Sequence, residues 1–243
     1  MGYWSRVALN DNRTMRVLSD VSSYIIFEFT GELAGSAYLV GTQLRPIFVE
    51  LSGEVDRVGV KLRPGIASSL FGISARDLRD RVVGISDANI RLPSRLQDKR
   101  FAGPRFRSRV CALEDWMRGQ LAKLKPSSVK ALTETTRLFQ TVSEGTPVRL
   151  LEKLTGWNER RIQRFFLNQF GTSAATLRRW GRFRRALELL EAQNQLSRAI
   201  VSAQVGYSDQ AHMCREFREF AGTDIGSLLS ERQSVGNVQA AGQ

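Results

Sequence analysis

One histidine and two cysteines leave little room for catalysis in this chain of 243 residues. His212 has no Ser/Asp or Cys/Asn arrangement beside it that would make it a general base. Cys111 and Cys214 are too far apart for a zinc site or a disulfide framework, and both read as small apolar residues on helices. No glycine-rich phosphate loop and no paired catalytic carboxylates are present. The side chains that can do chemistry are arginines: eight stand between Arg160 and Arg185, with no acid among them. A guanidinium holds phosphate oxygens, and it can pair with O6 and N7 of guanine as Gln163 can with adenine. The chemistry on offer is recognition of nucleic acid, and the plainer alternative is a solvated basic surface.

The charge is unevenly divided. The formal net charge is +12, yet residues 1–90 hold ten Lys/Arg against ten Asp/Glu and are neutral. Residues 91–125 hold ten against three, giving +7, and residues 126–243 hold sixteen against eleven, giving +5. The positive field therefore lies in the middle and C-terminal parts, where a phosphate backbone would be met.

Around these arginines one pattern is written twice. Gly156-Trp157-Asn158 precedes Arg161 to Phe166 and closes on Phe170-Gly171-Thr172; Gly206-Tyr207-Ser208 precedes Met213 to Phe217 and closes on Phe220-Ala221-Gly222-Thr223. The opening glycines are 50 positions apart (206 minus 156) and the closing ones 51 (222 minus 171), so the copies differ by a one-residue insertion. Each copy reads as helix, tight turn, helix. Glycine supplies the turn, and Asn158 or Ser208 is of a type that caps the next helix. Ile162, Phe165, Phe166 and Phe170 in one copy, and Met213, Phe217 and Phe220 in the other, form apolar stripes at helical spacing. This is the plan of a helix-turn-helix, whose second helix enters the DNA major groove.

The stretch from Val129 to Arg232 resembles the double helix-turn-helix domain of AraC/XylS-type bacterial transcription regulators. The first unit of that family is similar to the run Gly156 to Phe166, and the second to Gly206-Tyr207-Ser208-Asp209-Gln210-Ala211-His212 with Arg215-Glu216-Phe217. The long polar side chains on the face away from the first apolar stripe are Arg160, Gln163 and Arg164, with Glu159 and Arg161 flanking and Asn158 at the helix start, and the resemblance implies the same three, Arg160, Gln163 and Arg164, as base readers. In the second unit Asp209, Gln210, Ala211, Cys214 and Arg215 occupy the corresponding face, with Ser208, Gln210 and Arg215 expected at the backbone. Ala211 and Cys214 are short, which suggests weaker base reading there and more backbone positioning.

The remaining elements must position these two helices. Val148 to Leu154 is expected as the first support helix, with Leu150, Leu151 and Leu154 packing inward, and Ser197 to Gln204 as the second, with Ile200 and Val201 inward. Ala175 to Gln193 reads as the helix joining the units, holding them so that both meet major grooves about 34–36 Å apart. On its flank Arg178, Arg182 and Arg185 are available to phosphates or to solvent. Asp224 to Ser230 closes the domain, and the tail of residues 233–243 is expected to be disordered.

Residues 1–90 read as β-rich: runs such as Tyr24 to Thr30, Ala37 to Val40, Ile47 to Leu51 and Arg57 to Leu62 recur about every ten residues with turn residues between them. Tyr38 to Gly41, Val58 to Gly65 and Leu78 to Val83 resemble the N-terminal domain of one branch of these regulators. That domain is cupin-like and senses an effector or mediates association; with a single histidine a His-rich metal site is excluded. Residues 91–125 read as a basic linker with Pro93, Gly103 and Pro104, followed by a helix whose stripe includes Leu113, Trp116, Met117 and Leu121. That stripe packs within the chain or forms a dimer helix.

The expected fold class is α+β: a small β-rich, cupin-like sandwich or barrel (1–90), the linker and helix (91–125), and an all-α domain of two helix-turn-helix units joined by a linker helix (126–232). The expected function is a sequence-specific transcription regulator, activating or repressing, in the bacterial cytoplasm and modulated through its N-terminal domain. Its expected partners are double-stranded DNA, RNA polymerase, a small-molecule effector and a second copy of the chain, with no cofactor. No run of about 18 apolar residues or secretory signal points to a membrane. One alternative is a ligand-independent regulator controlled by a protein partner. A remoter one is a DNA-acting enzyme, which two isolated cysteines do not support.

Overall fold

The computed structural model describes residues 2–8, 13–30, 36–51, 55–93, 96, 106–192 and 197–240. The architecture is α+β. Six strands come first: β1 (Gly2–Ala8), β2 (Arg13–Val17), β3 (Ser23–Thr30), β4 (Ser36–Val40), β5 (Ile47–Leu51) and β6 (Val55–Leu62). Helices α1 (Ile66–Phe71) and α2 (Ala75–Leu78) lead to β7 (Val82–Gly84). The rest is helical: α3 (Phe106–Ala122), α4 (Pro126–Ser143), a 3-10 turn at Val148–Leu150, α5 (Leu151–Thr155), α6 (Glu159–Phe170), α7 (Ala174–Ala192), α8 (Arg198–Val205), α9 (Gln210–Ala221) and α10 (Ile225–Ala240). No helix among the described residues is long and apolar enough to cross a membrane.

By packing, the chain divides into two units, residues 1–139 with 158–173 and residues 140–157 with 174–243. The first recognition helix, α6, is thus grouped with the N-terminal strands, and not with the second helix-turn-helix as the expected boundary at residue 126 would have it.

In the first unit five antiparallel strands run in the order β1-β6-β3-β4-β7, beside a two-stranded sheet of β2 and β5. Alternation decides which face is buried. Ile25 and Phe27 point inward from β3, and Val58, Val60 and Leu62 from β6. The register sets Ile25 between Val60 and Leu39, and Phe27 opposite Val58. On the other face Glu28 opposes Arg57 and binds its Nε at 2.7 Å. Asp20, at a bridge to Gln43, accepts from Ser22 N, Tyr24 Oη and Lys61 Nζ.

The inner face does not close on itself. Leu78, Ile85, Ile90 and Leu96 continue its core, and so do Leu113, Trp116 and Met117 of α3. Trp116 stacks on Phe71 with ring centroids 6.2 Å apart. This overturns the dimer-helix reading of Leu113, Trp116, Met117 and Leu121. The first three are at most 4% exposed and cover the open side of this chain's own sheet, and Leu121 is half-buried. The linker expected at Gly103 and Pro104 lies outside the described residues.

Close backbone approaches tie the end of β4 to α2. Gly41 N donates to Arg81 O at 3.1 Å, and a Cβ on Gly41 would lie 1.9 Å from Leu78 O. No rotamer can relieve a clash with a carbonyl, so Gly41→Ala is expected to destabilise the protein by about 3 kcal/mol, at the upper end of overpacking costs. Gly119→Ala is the control: nothing lies within 4 Å of its Cβ position in α3, and it should be neutral or stabilising by up to about 1 kcal/mol. Urea denaturation of both variants checks the pair; equal midpoints would show that the approach at Gly41 is unimportant.

The second unit is all-α. Phe183 of α7 meets Phe217 edge-on at 4.9 Å and Phe220 at 5.4 Å, with Leu187, Val201, Met213, Ile225 and Leu228 buried around them. Two support-helix expectations change. The chain enters α5 through a 3-10 turn of three residues per turn, which shifts the phase of the stripe: Leu151 is buried, and Leu150 and Leu154 are 38% and 48% exposed. In α8, Val201 faces inward and Ile200 outward. α10 runs to Ala240, past residue 233 where the tail is expected to begin. The last three residues lie outside those described.

Candidate nucleic-acid interface

The two recognition helices are built alike. α6 starts at Glu159 and ends at Phe170; α9 starts at Gln210 and ends at Ala221, an offset of 51 at both ends (210 minus 159, 221 minus 170). Each support helix ends on a left-handed glycine, Gly156 with φ 69° and Gly206 with φ 80°. Each recognition helix ends on another, Gly171 with φ 68° and Gly222 with φ 69°, whose N–H closes the last turn. Asn158 caps α6 by accepting from Arg161 N at 2.9 Å, and Asp209 caps α9 by accepting from His212 N at 2.6 Å.

These caps locate the one-residue slip. Asn158 and Asp209 are 51 apart, the opening glycines 50, so the extra residue lies in the second turn, at Tyr207 or Ser208. The expected cap Ser208 is therefore displaced by Asp209. Ser208 Oγ bonds the Asp209 carboxylate and lies 3.1 Å from His212 Nδ1. Hydrogen bonds from His212 N and the Ser208 hydroxyl hold the Asp209 carboxyl below its ordinary range. Asn158 and Asp209, expected at DNA, have their side-chain oxygens occupied by helix starts.

The outward faces can be compared position by position. On α6, Ile162, Phe166 and Phe170 are buried, which leaves Arg160, Gln163, Arg164 and Leu167 in an i, i+3, i+4, i+7 stripe on the other side. Arg160 and Arg164 are exposed and make no ion pair among the described residues; Gln163 Nε2 donates to Glu159 Oε1 at 2.9 Å. Arg161 is exposed, on the edge of this face. On α9, an offset of 51 places Ala211, Cys214, Arg215 and Arg218 on the same stripe. Arg218 was missed from sequence, although it stands three residues after Arg215. Gln210 is exposed in the first turn.

The flank of α7 is another matter. Arg178 Nε donates to Gly145 O at 2.9 Å, and Arg185 reaches Ser143 O. Arg182 donates to Gly206 O at 3.2 Å and Glu216 at 2.6 Å, with its guanidinium 4.4 Å above the Tyr207 ring. These three arginines line one groove, and each is tied to an internal acceptor. They fix α7 to the end of α4 and to the second turn, a structural use neither phosphate nor solvent had suggested.

Glu216 was overlooked altogether. Its side chain is 2% exposed and receives Arg182 at 2.6 Å and Arg179 at 2.9 Å, with His212 Nε2 3.4 Å away. Burial alone would raise its pKa, but the hydrogen bonds from Arg182 and Arg179 outweigh it and hold the carboxyl below its ordinary 4.5. The signal was in the spacing: Glu216 falls on the buried stripe of Met213, Phe217 and Phe220.

Residues 151–230 match the family of the helix-turn-helix domain, and residues 2–84 match a domain of unknown function (DUF6597). Among curated proteins none matches. Among solved structures, ToxT from Vibrio cholerae O395 is similar over 93% of this chain and 96% of its own, with a TM-score of 0.49 and 12% identity. Another structure of ToxT from Vibrio cholerae covers 94% and 98%, with a TM-score of 0.48 and 9% identity. A third, of ToxT from strain SCE256 with unsaturated fatty acid bound, covers 93% and 94%, with a TM-score of 0.47 and 14% identity. The matched helix-turn-helix stretch and the twofold cap-helix-glycine geometry identify the C-terminal part of this chain as a DNA-binding domain of the AraC/XylS type.

Proposed function

We propose that the chain is a sequence-specific transcription regulator in which α6 and α9 read successive major grooves of one operator. The observation that carries this reading is the pair of matched recognition helices, with Arg160, Gln163 and Arg164 presented outward on the first. α6 supplies most base discrimination, because its stripe offers two arginines and a glutamine where α9 offers alanine, cysteine and two arginines. α9 holds backbone through Arg215 and Arg218. The N-terminal domain modulates this binding in response to a small-molecule effector, and the bound protein acts on RNA polymerase as an activator.

Selection of bound genomic fragments by the purified protein at moderate salt tests the reading. A bipartite motif with half-sites one helical turn apart is expected. A single half-site would limit α9 to the backbone, and no enriched motif would overturn sequence-specific regulation.

A further inference from the structure

Three arginines outside both helix-turn-helix units lie at the edge of the first recognition helix. Arg76, Arg79 and Arg81, with Asp77 and Leu167, line one open groove within the first unit. Leu167 belongs to the outward stripe of α6, three residues after Arg164 and seven after Arg160, so the groove adjoins that stripe at the last turn of the helix. All three arginines are exposed. Arg79 has Asp80 at 3.6 Å, an exposed pair of the kind that contributes little in water. Arg76 and Arg81 make no ion pair among the described residues. Counting Asp77 in the lining and Asp80 beside Arg79 against the three arginines, the groove carries a net charge of +1.

Their place beside α6 is fixed by contacts that leave no slack. Thr42 Oγ1 donates to Phe170 O at 3.0 Å in a buried bond, and Ser68 Oγ donates to Asn168 O at 3.3 Å. A Cβ on Gly171 would lie 2.7 Å from Ala75 O, so only glycine lets the end of α6 sit on the start of α2. Phe139 packs on Phe170 with centroids 5.7 Å apart. The arginines therefore ride with α6 wherever it goes.

We infer that the N-terminal unit itself holds DNA: Arg76, Arg79 and Arg81 take phosphates on the strand flanking the bases read by α6. This rests on the DNA-binding reading of α6 and assigns a second contact surface to the same operator. The contact is to backbone and carries no sequence information, because these side chains stand beside the recognition helix and not on it. It couples the N-terminal domain to binding directly, since any change that moves α2 also moves part of the DNA grip.

The test uses the full chain, with a triple variant Arg76→Ala, Arg79→Ala, Arg81→Ala and a charge-preserving triple Arg→Lys variant at the same positions. Fluorescence anisotropy on the selected site over a salt series, with hydroxyl-radical footprinting, reads the outcome. The alanine variant should show a log-affinity slope against log salt shallower by about 2.7, at about 0.9 per phosphate contact, and lose protection on one flank. The lysine variant should keep both. An unchanged slope and footprint in the alanine variant would overturn the inference and leave the regulator reading intact. Equal losses in the lysine and alanine variants would mark a structural effect and overturn it too. Wild-type protein that binds no DNA would sink both readings together.

Discussion

Glu216→Ala is expected to lower the stability of the C-terminal unit by about 3 kcal/mol, the low end for breaking a buried ion pair. The carboxylate is 2% exposed and the Arg182 side chain 13%, so truncation strands a guanidinium that water barely reaches. Arg182 would keep Gly206 O, the Tyr207 face and a 3.5 Å approach to His212 Nε2, none of which carries a negative charge. Arg179 is different: at 38% exposed and also bound to Glu219, it can turn to its second partner and to solvent, so its share of the loss is discounted. Thermal melting should fall by more than about 10 °C for a unit near 100 residues. Glu219→Ala, at the exposed end of the same network, should stay within about 0.5 kcal/mol. A Glu216→Ala protein that melts with the wild type would mean that the α7–α9 contact is held by its phenylalanines alone.

The same carboxylate sets a pH dependence. Its folded pKa lies below the ordinary 4.5, so its contribution is fully present above that value and is lost as pH falls through the folded pKa. The stability gap between wild type and Glu216→Gln should therefore be largest near neutral pH and shrink below about 4.5, as read by urea denaturation across that range. A gap that widened on acidification would reverse the assignment of which group bears the shift.

What could be read from the sequence was whatever is local. Left-handed glycines, apolar stripes and the doubled pattern follow from steric and periodic rules within a dozen residues, and both recognition helices stand where those rules place them. Even the one-residue slip between the copies was visible as a difference of spacing; only its position in the second turn needed coordinates. What could not be read was partnership across the chain. The stripe of α3 looks the same whether it covers the sheet or a second copy, and Leu113, Trp116 and Met117 cover the sheet because its inner face is otherwise open. Arg178, Arg182 and Arg185 carry the charge a phosphate wants, and only the fold shows that carbonyls at Ser143, Gly145 and Gly206 are within their reach. Likewise, Arg76 and Leu167 are 91 residues apart in sequence (167 minus 76), and no periodicity connects them.

The second large effect is on DNA. Arg160→Ala, Gln163→Ala and Arg164→Ala together should reduce binding to the selected site by at least about a hundredfold, since each good bidentate base contact is worth about 1–3 kcal/mol. Binding to random-sequence duplex should fall far less, because only two positive charges are lost from a chain of formal charge +12. Arg164→Ala alone should already separate the two, lowering specific affinity by about fivefold or more with little change on random DNA. The mirror experiment on α9 should behave otherwise. Arg215→Ala with Arg218→Ala should weaken specific and random binding alike and make the salt slope shallower by about 1.8, as two lost phosphate contacts require. Competition binding of both variants at one salt concentration decides between the helices. If the α6 variant lost equally on specific and random DNA, its stripe would be a backbone grip, and the search for base readers would move to Gln210 and Arg215 on α9.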